Sequence, residues 1–194
     1  MFRGCTSLIS VSPLSATTTA EDCYSEMFAN CISLVTAPEL PATTLATNCY
    51  SYMFSSCTSL TTAPELPVTT LASSCYSGMF SGCTALTTAP VLPATILVDG
   101  CYSTMFQGCS SLTTAPELPA ITLANYCYSG MFNNCTNLNY IKAMFTTTPS
   151  ASYTWNWVND VAANGTFVKN SAAQWNVTGG NGIPSGWTIE TANN

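Results

Sequence analysis

The chain has 194 residues, of which 3 are Lys or Arg, 9 are Asp or Glu and none is His, so its net charge is −6 and only 6% of it is charged. Three cations, spread over positions 3, 142 and 169, cannot form the clustered positive surface that phosphates demand, so neither nucleic acid nor an anionic membrane surface is an expected partner. Without His the commonest general base and metal ligand are missing, and no apolar run approaches the roughly 18 to 20 residues of a membrane-spanning helix.

The sequence is periodic, and a period has to be read before any motif. Met-Phe occurs at 1–2, 27–28, 53–54, 79–80, 105–106 and 131–132, each pair 26 residues after the last. Cys follows four residues after each Met, at Cys5, Cys31, Cys57, Cys83, Cys109 and Cys135, and Leu follows seven after, from Leu8 to Leu138. Cys-Tyr-Ser repeats at Cys23, Cys49, Cys75, Cys101 and Cys127, and a Leu-Thr-Thr-Ala-Pro-Glu-Leu-Pro stretch, clearest at 60–67 and 112–119, lies between the blocks.

Residues 1–26 read as a divergent first coil, in which Ser12 and Ser15 replace the two prolines and Thr19 the anchoring leucine. Its opening aligns with 79–86 and has no continuous apolar stretch, so it is a repeat and not an export signal. A first coil exposes half a core, so either a packing partner is expected at this end or the chain is a segment of something longer.

Residues 27–142 read as the body of the repeat. In one unit Cys75, Tyr76, Met79, Phe80 and Cys83 fall on a single helical stripe, which predicts a helix of about three turns over 72–83. Leu86, Ala89 and Leu92 follow, with Pro90 and Pro93 interrupting, so a strand of three to five residues is expected over 86–89. Leu97 and its equivalents Leu45, Leu71 and Leu123 supply one more inward anchor. Neither element buries its apolar side alone, so units must stack as a solenoid. Strands stack at ~4.8 Å and helices at ~8–10 Å, which places strands on the inside of a curve that winds right-handedly.

Residues 143–194 read as a capping segment. Trp157 and Val161 before Gly165 suggest a last helix with a glycine C-cap, 165–169 alternates like a strand, and Ile183-Pro184-Ser185-Gly186 carries turn residues. The four Trp of 155–187 are read as a lid on the last coil, against the alternative of a sugar-stacking platform.

The unit Met-Phe-x-x-Cys-Thr-x-Leu-Thr-x-Ala-Pro-x-Leu-Pro resembles the bacterial surface leucine-rich repeats of the BspA-like or Treponema type, in the variants abundant in gut Bacteroidetes and their phages. The likeness covers nearly the whole chain, including the Gly165-Thr166-Phe167-Val168-Lys169-Asn170 and Gly182-Ile183-Pro184-Ser185-Gly186-Trp187-Thr188 endings, and departs from the family pattern in placing Met before Phe. It implies an α/β solenoid: a right-handed leucine-rich-repeat arc of 26-residue coils, with short parallel strands on the concave side, short helices on the convex side and a Trp-rich C-terminal cap.

The periodic columns carry the candidate chemistry. Eleven Cys in fixed register read as free thiols filling an interior slot. Gaps of seven and seventeen residues between successive cysteines suit no zinc site, no cation stands by to activate a nucleophile, and partners along one helix or in adjacent helices lie too far apart to bridge. Glu39, Glu65 and Glu117 share a column, broken by Val91, that reads as a solvated edge rather than a calcium site. Thr61, Thr62, Thr87, Thr88, Thr113 and Thr114 flank the strand, and with the three Glu they form the candidate binding face. No paired carboxylates or other catalytic residues, no cofactor site and no metal site are read. The resemblance implies a non-enzymatic, extracellular or cell-surface module that binds or adheres to protein or glycan; the alternative is a structural or receptor-binding part of a phage particle.

Overall fold

The computed structural model describes residues 1–192 of the chain. Regular elements gather at its C-terminal end: β1 (Tyr140–Ala143), α1 (Ala151–Thr154), β2 (Thr166–Asn170) and β3 (Thr188–Ala192). The strands form one parallel sheet in the order β1-β2-β3, with Tyr140 opposite Thr166 and Thr166 opposite Thr188.

Everything before β1 is a stack of coils offset by 26 residues, and its core consists of columns of identical side chains. Phe2, Phe28, Phe54, Phe80, Phe106 and Phe132 stack with ring centroids 5.6–5.8 Å apart, and Tyr24, Tyr50, Tyr76, Tyr102 and Tyr128 stack at 5.6–6.1 Å. Met53, Met79, Met105 and Met131 are fully buried beside them, as are Leu34, Leu60, Leu86, Leu112 and Leu138. Stacking buries the apolar stripe that a lone unit would leave in water.

The helix expected over 72–83 does not form, here or at its equivalents, and every such stretch is a run of turns. A residue with left-handed backbone stands at every fourth position: Ser74, Gly78 and Gly82 in one coil, Asn48, Tyr52 and Ser56 in the coil before, Gly100, Thr104 and Gly108 in the coil after. Such residues interrupt a right-handed helix. N–H groups then alternate in their partners. Cys75, Ser77, Met79, Ser81 and Cys83 donate three residues back within the coil, while Ser74, Tyr76, Gly78, Phe80 and Gly82 donate to carbonyls of the next coil at 2.7–3.1 Å. The apolar stripe is the one expected, but its period is four and half the hydrogen bonding runs between coils.

This wall therefore repeats at a spacing near that of strands, and the ~8–10 Å of packed helices on which the expected curvature rested is absent. The strand over 86–89 is also shorter than expected. Across the repeats it is reduced to single parallel bridges, Ser10 to Thr36, Thr36 to Thr62 and Thr62 to Thr88, because a proline two residues on lacks the ladder donor from the second coil onward.

The backbone ladder outlasts the sequence repeat. Tyr128, Gly130, Phe132 and Asn134 donate to Tyr153, Trp155, Trp157 and Asn159, so the turn wall runs on to residue 160, where the expected helix across Trp157 and Val161 is absent. The single helical turn α1 lies earlier and is capped by Ser150. Gly165 is no C-cap: a Cβ there would lie 2.4 Å from the Asn139 carbonyl oxygen, so glycine is needed for close approach. The expected strand at 165–169 is β2, and the Pro184 carbonyl accepts from Trp187 N at 3.3 Å across Gly186, whose φ of 85° suits a type II turn.

Candidate functional site: the strand-side wall

Thr61, Thr62, Thr87, Thr88, Thr113, Thr114, Glu39, Glu65 and Glu117 are all exposed. Four of the threonines are brought together coil over coil: Thr62 bridges Thr88 in parallel, and Thr87 N donates to the Thr61 carbonyl at 3.0 Å with its hydroxyl 3.3 Å from the same oxygen, whereas the Thr113 carbonyl accepts from Asn139 N and Thr114 bridges Tyr140. Exposed hydroxyls thus stand in rows one coil apart, which is the half-exposed surface that β-branched side chains favour.

The carboxylate column is divided. Glu117 pairs with Lys142 at 3.0 Å, whereas Glu39 and Glu65 have no cation beside them among the described residues and line grooves between coils. One groove, of ≈ 510 Å³, lies between Pro38-Glu39 and Pro64-Glu65, and a second, of ≈ 550 Å³, continues it along Pro64-Glu65 to Pro90-Val91. A third, of ≈ 300 Å³, joins Thr36 to Thr61 and Thr62. These grooves were not among the expected site features, although their signal, the repeated Ala-Pro-x-Leu-Pro, is in the sequence: proline rings and alanines leave shallow furrows where larger side chains would fill the surface.

The remaining cations are engaged internally. Arg3 pairs with Glu26, and Lys169 is buried under the Trp175 ring, donating to the Ala173 and Trp175 carbonyls and to Asn176 Oδ1 at 2.8–3.2 Å.

All eleven cysteines are free, and all but Cys5 and Cys23 are buried. In one column each Sγ lies against the Phe carbonyl of the coil before, as with Cys57 to Phe28 at 3.2 Å and Cys83 to Phe54 at 3.1 Å. Burial pushes the Cys57 and Cys75 thiols up to about 12, away from the thiolate that attacks or ligates. Adjacent coils lie closer than the expected helices would, so it is burial in matched slots, not distance, that describes these thiols. Among the described residues no group of three or more Cys, Asp or Glu is placed to hold a metal ion.

Three of the four tryptophans are buried, with Trp157 Nε1 donating to Gly182 O at 2.8 Å, Trp175 to Phe145 O at 3.3 Å and Trp187 to Ala162 O at 2.7 Å; Trp155 is exposed. An aromatic sugar platform would need these rings outside.

No curated protein and no solved structure matches the chain. The family model for the BspA type leucine rich repeat region matches in six copies, over residues 1–113 and 72–155. The chain belongs to the BspA-type leucine-rich repeat family and is a leucine-rich-repeat protein.

Proposed function

We propose that this protein is a non-enzymatic, surface-exposed binding or adhesion module whose strand-side wall takes a protein or glycan. The observation that carries the reading is the furrowed face of stacked Thr, Pro and Glu, with grooves of ≈ 510 and ≈ 550 Å³ continuous across three coils. The family supports it, since its repeats generally serve as protein-interaction modules and commonly sit at surfaces. Glu39 and Glu65 favour neutral or cationic ligands over polyanions. The same reading keeps residues 1–26 as a divergent first coil, 27–142 as the solenoid and 143–194 as a cap, with right-handed winding as parallel crossovers prefer.

A glycan array and a protein pull-down with the full chain, each repeated with Thr61→Ala, Thr87→Ala and Glu65→Ala, test this. Ligands should be captured by the parent and weakened by the substitutions. Unchanged capture by all three variants would remove the strand-side wall as the site.

A further inference from the structure

Two asparagines in this chain precede a glycine, Asn164 before Gly165 and Asn181 before Gly182. Such a pair can react with itself, because the glycine amide nitrogen carries no neighbouring Cβ to keep it from the asparagine side-chain carbon. The fold treats the two pairs differently. At Asn181 the parts are held: Gly182 N donates to the Gly179 carbonyl at 2.9 Å, Asn181 Oδ1 accepts from Asn156 N at 2.7 Å, and the Gly182 carbonyl accepts from Trp157 Nε1 at 2.8 Å. An amide proton engaged in this way is released to solvent base only when the bond opens.

At Asn164 the chain forms a short arch. Ala162 N is bonded to the Leu138 carbonyl at 3.1 Å and Thr166 N to the Asn139 carbonyl at 2.8 Å, so its two feet stand on adjacent acceptors. Between them the N–H groups of Ala163, Asn164 and Gly165 have no acceptor among the described residues, and Asn164 is exposed, its side-chain amide without a partner there. The glycine is not optional: a Cβ at 165 would lie 2.4 Å from the Asn139 carbonyl oxygen and 2.8 Å from Trp187 Cε2. Close packing against the last strands thus gives Asn164 the one neighbour that leaves its side chain open to attack.

We propose that Asn164 is a self-modification site, at which the folded protein converts the asparagine to aspartate and its β-linked isomer and so loosens the hold of β2 on its neighbours. The Gly165 nitrogen gives up its proton to solvent base and bonds to Asn164 Cγ, the Cγ–Nδ2 bond breaks, and ammonia leaves. Water then opens the five-membered imide at either carbonyl. Either product adds one negative charge to the chain's net −6. In the β-linked product the main chain runs through Cβ and is longer by one atom. An arch with its feet on adjacent carbonyls passes that atom to its ends: the Thr166 bond to Asn139, the bond from Thr188 N to the Gly165 carbonyl at 2.9 Å, and the bond from Trp187 Nε1 to the Ala162 carbonyl at 2.7 Å.

The test ages the full chain in mildly alkaline buffer, folded and in urea, and reads both asparagines by peptide mapping and mass. In urea Asn164 and Asn181 should convert alike. In the folded protein Asn164 should convert faster than Asn181 by on the order of tenfold or more. Asn164→Gln, whose longer side chain would have to close a six-membered ring, is the control that stays unconverted. Hydrogen exchange at Thr166 and Thr188 should be faster in the aged parent than in aged Asn164→Gln by on the order of tenfold. Equal folded-state rates at the two asparagines, or an Asn164 that survives in the folded protein and converts only in urea, overturns the site. Unchanged exchange at Thr166 and Thr188 in the converted protein overturns the loosening.

Discussion

Cys83→Ala tests the thiol slot most directly. The side chain is fully buried, and its Sγ lies 3.1 Å from the Phe54 carbonyl, an oxygen that also accepts the N–H of Cys57 at 3.1 Å. Removing the sulfur therefore orphans no backbone acceptor. The loss is the transfer energy of one methylene-sized group, about 0.8 kcal/mol, plus a cavity contribution of similar size, so the expected cost is about 1–2 kcal/mol. Cys83→Ser keeps a donor for Phe54 but places hydroxyl lone pairs in an apolar slot, at about 1–3 kcal/mol, so it should be at least as damaging as the alanine variant. Cys5→Ala, the exposed equivalent, should stay within about 0.5 kcal/mol of the parent. Urea unfolding followed by far-UV circular dichroism, with the slope checked for constancy, measures all three. If Cys83→Ala matched Cys5→Ala, or if serine were the milder change, the reading of the thiol as apolar filling would be refuted.

Thr104 is a β-branched residue at φ 52° where the equivalent positions hold Gly78 and Gly130, so Thr104→Gly should stabilise by about 1 kcal/mol and raise the thermal midpoint; a lower midpoint would show that backbone strain does not decide this site. The Tyr50 hydroxyl is buried without a hydrogen-bond partner among the described residues, so Tyr50→Phe is expected to be neutral or stabilising by up to about 1 kcal/mol, with loss of stability as the contrary result. Burial holds the Cys57, Cys75, Cys127 and Cys135 thiols at about 12 against an ordinary 9.0, so the folded state keeps protons that the unfolded state releases. Stability should be level below pH 9.0 and fall between there and about 12, by about 1.4 kcal/mol per pH unit for each such thiol; Cys57→Ala should shallow the decline, and a midpoint constant through this window would contradict the shifts. Thiol titration should find two reactive cysteines in the native protein and all eleven in denatured, unreduced protein, and a denatured count near one would show them oxidised.

The columns of this fold are legible in the sequence because stacking in register demands the same residue every 26 positions, and the buried Cys, Leu and Phe columns follow from that alone. The local conformation is not legible from the apolar stripe, because stripes of period 3.6 and period 4 coincide over the few residues of one unit. The signal that separates them lies on the other face. Positions 74, 78 and 82 hold Ser, Gly and Gly, positions 22, 26 and 30 hold Asp, Glu and Asn, and positions 126, 130 and 134 hold Tyr, Gly and Asn. That spacing is enriched in the small and Asx residues that tolerate left-handed backbone, and a helix has no use for them every fourth residue. Glu26, Tyr52, Thr104 and Tyr126 obscure the pattern, and Tyr52 explains its neighbour: its ring covers Gly78, where an added Cβ would come within 2.2 Å of it.

The difference between helix and turn run changes what the wall can do. Packed helices would keep their hydrogen bonds to themselves and meet through side chains, and a coil could then be lost or gained at either end for the cost of apolar contact alone. Here alternate N–H groups on the turn wall are committed to carbonyls of the following coil, while on the strand side Val35 N and Thr87 N donate back to the Ile9 and Thr61 carbonyls, so the turn wall has a sense that the strand side does not share. At Asn156 and Val158 the Asn181 side chain and the Gly180 carbonyl take the place of a following coil as acceptors. Stacking in this fold therefore has a direction along the turn wall, and a coil placed within the stack must set its donors and acceptors in the same sense as its neighbours.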